Sequence, residues 1–404
     1  MGRIIPLSTF LLLLSSFWVG ASTTSSTVIY DVEVSGERPS IAKVKIDTSN
    51  FQSLTMLPSR TLRDSFQPTL ICQQDNKPDR SIEYGKVVVC KRIVWELALS
   101  EVDESGMDVG LQNDSYSPAD GWYVITEWNS FPRVEGQESG QICINTDRRN
   151  CHELPSVDNP PLFVVWGMKV NQIDIDNVPV RLMTDQQQLL QREEEWLPVL
   201  SNQVRYLRSV FDVKKMEPWS LVWLKRDKST GSISGAAGNR IYISNVAVEN
   251  GQLATDAIKH LLKISAHESI HFLSSIPAPL WANEALAEYY AKKSLSETLY
   301  KFADPVEYWQ SIAANFPAGN MGLYLANDEV TKRQNYRYYG LFYTKGVAFW
   351  AELDNELGSK GSSLDSYLSL LNMEWETELP KQFVDSITKK VGIERWLELE
   401  KKYL

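Results

Sequence analysis

Residues 254–293 read "ATDAIKHLLKISAHESIHFLSSIPAPLWANEALAEYYAKK". No Gly or Pro interrupts 254–275, and the apolar positions recur at helical spacing, so this stretch is predicted to be a helix. Pro277 and Pro279 follow its end, and a second helical run begins near Trp281. On the first helix His267 and His271 stand four apart, with Glu268 between them. Residues four apart share one face, so both imidazoles point the same way and can share one tetrahedral Zn²⁺. Glu268 stands beside such an ion, where a base is needed to take a proton from water. A third protein ligand is required. The following helix offers Glu284 and Glu288, again four apart. The turn "SIPAPL" is short, so the two helices are expected to pack antiparallel and bring one carboxylate to the histidines. His260, seven residues before His267, is expected to support the site or the core. His152 is read as a surface residue.

Outward from this pair, the chain changes character. "TVIYDVEV", "IAKVKID", "YGKVVVCKRIVWELALS", "GWYVITEW" and "PPLFVVWG" (all within 27–167) alternate or run apolar with β-branched and aromatic residues. They predict an antiparallel β-sandwich over 22–170. From about 183 the pattern turns helical, with Thr184 or Asp185 as the N-cap of "TDQQQLLQREEEWLPVLSNQVRYLRSVF". "SLVWLKRD" and "NRIYISNVAVEN" read as strands around the turn "KSTGSISGAAG", and nearly everything after Asn250 reads as helix. The expectation is an α+β chain. A sandwich precedes a mixed, mostly helical domain over 171–404.

The N-terminus has one early basic residue, Arg3, an apolar run, and small residues at Val19 and Ala21. This predicts a signal peptide over 1–21 and an exported protein, periplasmic or secreted. No later stretch is long and apolar enough to span a bilayer. The chain has 41 Lys and Arg against 51 Asp and Glu, a formal net charge of −10, with no basic block. That argues against nucleic acid or anionic membrane surfaces as partners. The four cysteines are Cys72, Cys90, Cys143 and Cys151. In an exported chain they suggest two disulfides, and nearest-neighbour pairing gives Cys72–Cys90 and Cys143–Cys151.

The motif "AHESIHF…WANEALAEYYA" resembles the gluzincin metallopeptidases, of the type of aminopeptidase N and the glycyl aminopeptidases. Trp281, Asn283, Glu284 and Ala287 match the family's helix after the histidine pair. The resemblance implies a thermolysin-like catalytic domain, one Zn²⁺ on His267, His271 and Glu284, and Glu268 as base. It favours Glu284 over Glu288. "FYTKG" at 342–346 resembles the family's Tyr-x-Lys-Gly segment, which makes Tyr343 the donor to the oxyanion. "GAAGN" (Gly235, Ala236, Ala237, Gly238, Asn239) stands where the family's substrate strand would be. That strand can pair with an extended peptide through its backbone.

Two departures are visible. Only 12 residues separate His271 from Glu284, a shorter connection than the family ordinarily has. Gly238 stands where the family's aminopeptidases carry the glutamate that binds a free α-amino group. The implied protein is therefore an exported zinc peptidase of peptide or protein substrates, without the amine clamp of a standard aminopeptidase. Two other readings remain at this point. One is a zinc-stabilised binding or scaffold protein that does no catalysis. The other is a metal-free interaction protein with the histidines in its core.

Overall fold

A computed structural model describes residues 27–404, apart from 36–37, 61–66, 112–113, 118–120, 138–139, 145–149 and 375. The signal peptide expected at 1–21 lies outside the described residues. Among the described residues, no helix is long and apolar enough to cross a membrane.

Up to Trp166 the chain is built of strands in three sheets of seven, four and three strands. The seven-stranded sheet runs in the order Cys151–Leu154, Gly140–Ile144, Val28–Ser35, Arg38–Asp47, Arg92–Ala98, Leu70–Gln73, Arg80–Ile82. The expected pattern was purely antiparallel. Instead Val28–Ser35 pairs in parallel with Gly140–Ile144. The two strands meet only after most of the β region has been laid down, so no hairpin turn imposes opposite directions. The inward face alternates as a half-buried strand should, with Tyr30, Val32, Val44, Ile46, Ile93 and Trp95 all buried.

Both disulfides have the nearest-neighbour pairing. Cys143 and Cys151 face each other across adjacent antiparallel strands. Cys72–Cys90 ties Leu70–Gln73 to the segment leading into Arg92–Ala98.

A further, six-stranded sheet begins at Val170. Its order is Val170–Ile175, Val178–Thr184, Trp219–Asp227, Ile241–Glu249, Gly235–Gly238, with Gln252–Leu253 added to Ile241–Glu249. The central strands are parallel and buried on both faces, which is why "SLVWLKRD" and "RIYISNVAV" read as near-continuous apolar runs. The first two strands, 170–184, carry no such run and had no reading in the sequence. Gly235–Gly238, read there both as the end of a flexible turn and, through the resemblance, as a substrate strand, is the antiparallel edge strand.

The first helical segment starts one or two residues later than expected. Its cap is Gln186, whose side chain accepts from Gln188 N, and it breaks at Arg192 into Gln187–Gln191 and Glu193–Val210. Thr184 and Asp185 are spent otherwise: Thr184 Oγ1 accepts from Gln186 N and Asp185 Oδ1 from Lys225 N.

The histidine helix spans Ala257–Leu273 and the acid helix Leu280–Lys293. They pack against each other, and the histidine helix also packs against Glu193–Val210 and Ile241–Glu249. Twelve of the first helix's residues are buried, so it is enclosed nearly all round and belongs to the core. Trp281 anchors the second. It is fully buried, lies parallel to Trp350 with ring centroids 5.9 Å apart, and donates Nε1–H to Thr377 O at 2.9 Å.

Candidate metal centre

The short connection between the two helices is sufficient. Ser274 to Pro279 turn the chain back, and Glu284 returns to the level of His271. His267 Nε2 lies 3.1 Å from His271 Nε2 and 3.3 Å from Glu284 Oε2. His271 Nε2 lies 3.8 Å from that same carboxylate oxygen. A tetrahedral ion bound at zinc–nitrogen and zinc–oxygen lengths holds its ligand atoms about 3.3 Å apart, and these three separations straddle that value. Two imidazoles and a carboxylate are a common donor set for such an ion, so the residues present fit it.

Glu288, the other candidate ligand, does not face this space. Its Oε2 sits 3.2 Å from His267 Nδ1, on the far side of the ring. The carboxylate is buried and is braced by Lys263 Nζ at 3.1 Å and Lys292 Nζ at 3.2 Å. With Nδ1 held there, Nε2 is left to face Glu284 and His271. Sequence reasoning offered Glu288 only as a ligand and missed Lys263 and Lys292. The signal was present, because Lys263–His267–His271 and Glu284–Glu288–Lys292 each advance in steps of four.

The charges follow from burial and neighbours. For His267 burial opposes the charged ring, but the Glu284 and Glu288 carboxylates outweigh it and push its pKa up to about 10. Burial takes His271 down to about 4, with the charge of His267 adding to the effect. Burial pushes Glu268 up to about 7. Burial would raise Glu284 too, yet its hydrogen bond from His267 wins and holds it near about 2.

Tyr343 reaches the centre from a π-helical turn, Phe342–Gly346, which runs into the helix Val347–Ser359. Its hydroxyl donates to Glu284 Oε2 at 2.5 Å, and its ring stacks on His267 with centroids 5.6 Å apart. Gly346 makes the approach possible, since a Cβ there would stand 2.7 Å from Ala285 Cβ. Lys345 is turned away and is buried, donating to Met321 O at 2.7 Å.

The edge strand is divided by the two-residue alternation of its side chains. Gly235 faces the histidine helix so closely that a Cβ would lie 2.4 Å from Glu268 Oε1 and 2.6 Å from Ile264 Cγ2. Two adjoining hollows of about 420 and 390 Å³ share Gly235, His267, Glu268, Tyr339 and Tyr343 as walls, and Ala236 and Ala237 line the second.

Gly238 differs from its expected role. Its missing side chain would point at the Phe163 ring, 2.5 Å away, and at Pro161 O. Asn239 N donates to Pro161 O at 2.8 Å. Gly238 therefore faces away from Glu268. Asn239 lines a separate cavity of about 490 Å³ with Phe163, Arg181, Trp219 and His152. His152 is thus half-buried rather than a surface residue. His260 lies outside the centre and pairs with Asp256 at 3.2 Å.

The arrangement has a known counterpart in fold. The backbone is similar to that of an aminopeptidase N family protein. That crystal structure, from Idiomarina loihiensis, superposes with a TM-score of 0.63, covering 93% of this chain and 76% of that one. The sequences are 12% identical, so the likeness is one of fold. No protein-family model matches the chain, and no curated protein matches it in sequence.

Proposed function

We propose that the chain is an exported zinc-dependent peptidase. The observation that carries this reading is the convergence of His267 Nε2, His271 Nε2 and Glu284 on one point, with Glu268 and Tyr343 beside it. Zn²⁺ would be held by those three residues. When bound, it supplies a Lewis acid that polarises the scissile carbonyl and acidifies a water.

The chain's own residues do the rest. Glu268 takes a proton from the attacking water and passes it to the leaving nitrogen. Tyr343 donates to the oxygen that gathers charge. The edge strand, last in its sheet, accepts an extended peptide by backbone pairing. The carboxylates lining the two hollows are Glu268, Glu284 and Glu288, and each has a role already. An α-ammonium finds no further carboxylate among the described walls, which favours substrates recognised without a free amino end. The two disulfides suit an oxidising compartment and support export.

The test is a peptide library with free and with acetylated N-termini, digested and read by mass spectrometry, alongside elemental analysis. Wild type should bring zinc with it and His267→Ala should not. Glu268→Gln should keep the metal and lose hydrolysis. Equal zinc in wild type and His267→Ala would overturn the metal site. Zinc-loaded wild type without turnover would favour a zinc-stabilised binding protein.

A further inference from the structure

A phenol has one proton to donate. Tyr343 gives its proton to Glu284 Oε2. While it does so, it has nothing to offer a developing oxyanion. If it turns to the substrate, Glu284 loses a donor in a buried setting, with only 12% of its side chain exposed. One phenol cannot serve both acceptors.

A second phenol stands beside it. Tyr339 lies one turn earlier, in the tight 3₁₀ turn Tyr336–Leu341 that passes directly into the π-helical turn of Tyr343. The change from a tight to a wide turn places both rings on the same wall. Their centroids are 5.6 Å apart at 46°. Tyr339 lines both hollows beside His267 and Glu268. Its hydroxyl lies close to Glu284 and to the Tyr343 hydroxyl. A purely packing role is served by its ring, which meets Phe342 at 5.5 Å. That contact does not use its hydroxyl, and the ring shares one wall of the second hollow with Glu284 and Tyr343.

We propose that Tyr339 is a positioning residue, taking over the hydrogen bond to Glu284 when Tyr343 turns to the substrate oxyanion. Two donors then serve two acceptors throughout the reaction. This rests on the peptidase reading above.

The experiment compares wild type, Tyr339→Phe, Tyr343→Phe and the double variant. It reads kcat and KM on a blocked peptide. It also reads the calorimetric Kd of an end-blocked phosphinic pseudopeptide, and zinc affinity without either. Tyr339→Phe keeps the ring. It should lower kcat about tenfold with KM nearly unchanged, the scale for a group that orients a ligand. It should weaken the phosphinic compound by a similar factor and leave zinc affinity as in wild type. In the Tyr343→Phe background it should cause no further loss. Unchanged kcat and phosphinate Kd in Tyr339→Phe, or a double variant that loses the product of both single effects, overturns the proposal alone. Wild type that neither cleaves nor binds the phosphinic compound overturns the peptidase reading, and this proposal with it.

Discussion

Glu288 Oε2 and His267 Nδ1 stand 3.2 Å apart, with Lys263 and Lys292 closing around the carboxylate from both ends. Burial alone would raise the Glu288 carboxyl, but Lys263 beside it reverses the shift and holds it well below its ordinary value. It is therefore a permanent acceptor that fixes the tautomer and orientation of His267. We expect Glu288→Ala to weaken zinc binding about 10–100-fold, as loss of such outer partners does. Competition with a chromophoric chelator measures this. Wild-type affinity in the variant would remove Glu288 from that role.

Zinc binding should release a proton. In the metal-free protein His267 has a pKa raised from 6.5 to about 10 by the Glu284 and Glu288 carboxylates, which outweigh its burial. At pH 7 the ring is charged, and a ligand must be neutral, so the ion displaces a proton. Apparent affinity should climb roughly tenfold per pH unit from 7 to 9. Calorimetry in two buffers of different ionisation enthalpy should count close to one proton. The same raised pKa gives the metal-free protein stability that is full below 6.5 and lost as pH rises through about 10. A count of zero protons would contradict this.

The two outer glycines of the edge strand should respond differently. Gly235→Ala drives a Cβ into Glu268 Oε1 and Ile264. Hydrolysis should fall, with zinc content unchanged. Gly238→Glu drives a side chain into Phe163 and the Pro161 carbonyl instead. Overpacking of this kind costs about 1–3 kcal/mol. It should appear in urea unfolding, without any new preference for substrates with a free amino end. An acquired aminopeptidase preference would show that the strand can turn that face to the cleft.

Glu127 is 1% exposed and holds Arg60 and Arg133 together. Its other oxygen accepts from Leu162 N at 2.8 Å. Arg60 in turn donates to the carbonyls of Ser156, Val157 and Asn159, just before Pro160 at the cleft. Glu127→Ala leaves two guanidiniums without their carboxylate and should destabilise by about 3–5 kcal/mol. Equilibrium urea unfolding checks it, and a loss under 1 kcal/mol would contradict the buried role.

What could be read in advance was what depends on local spacing. The shared face of His267 and His271 followed from helical period, the short turn left Glu284 and Glu288 both open with only the resemblance choosing between them, and the cysteine pairs followed from proximity along the chain. Strands at 219–227 and 241–249 announced themselves by unbroken apolar runs. What escaped depends on register between distant segments. Which face Gly238 turns to the cleft is decided by the pairing of Gly235–Gly238 with Ile241–Ser244, not by the motif "GAAGN". The parallel strand pair in the seven-stranded sheet joins residues over a hundred apart, and local alternation carries no sign of strand direction. Glu288 and Lys263 were legible as positions on a face. Their mutual pairing required knowing how the two helices oppose one another.

Asn245 shows how far the two halves of the chain depend on each other. Its side-chain amide donates to Met107 O at 2.8 Å and accepts from Val109 N at 3.2 Å and Ser234 N at 3.4 Å. Around it Met107, Val109, Val124 and Phe163 share one apolar cluster with Val222, Ala236 and Ile243. Removing the β region would strand that amide and bare the underside of the strand that floors the cleft. The chain should therefore melt in a single cooperative transition, and the helical half should not be separable as a working fragment.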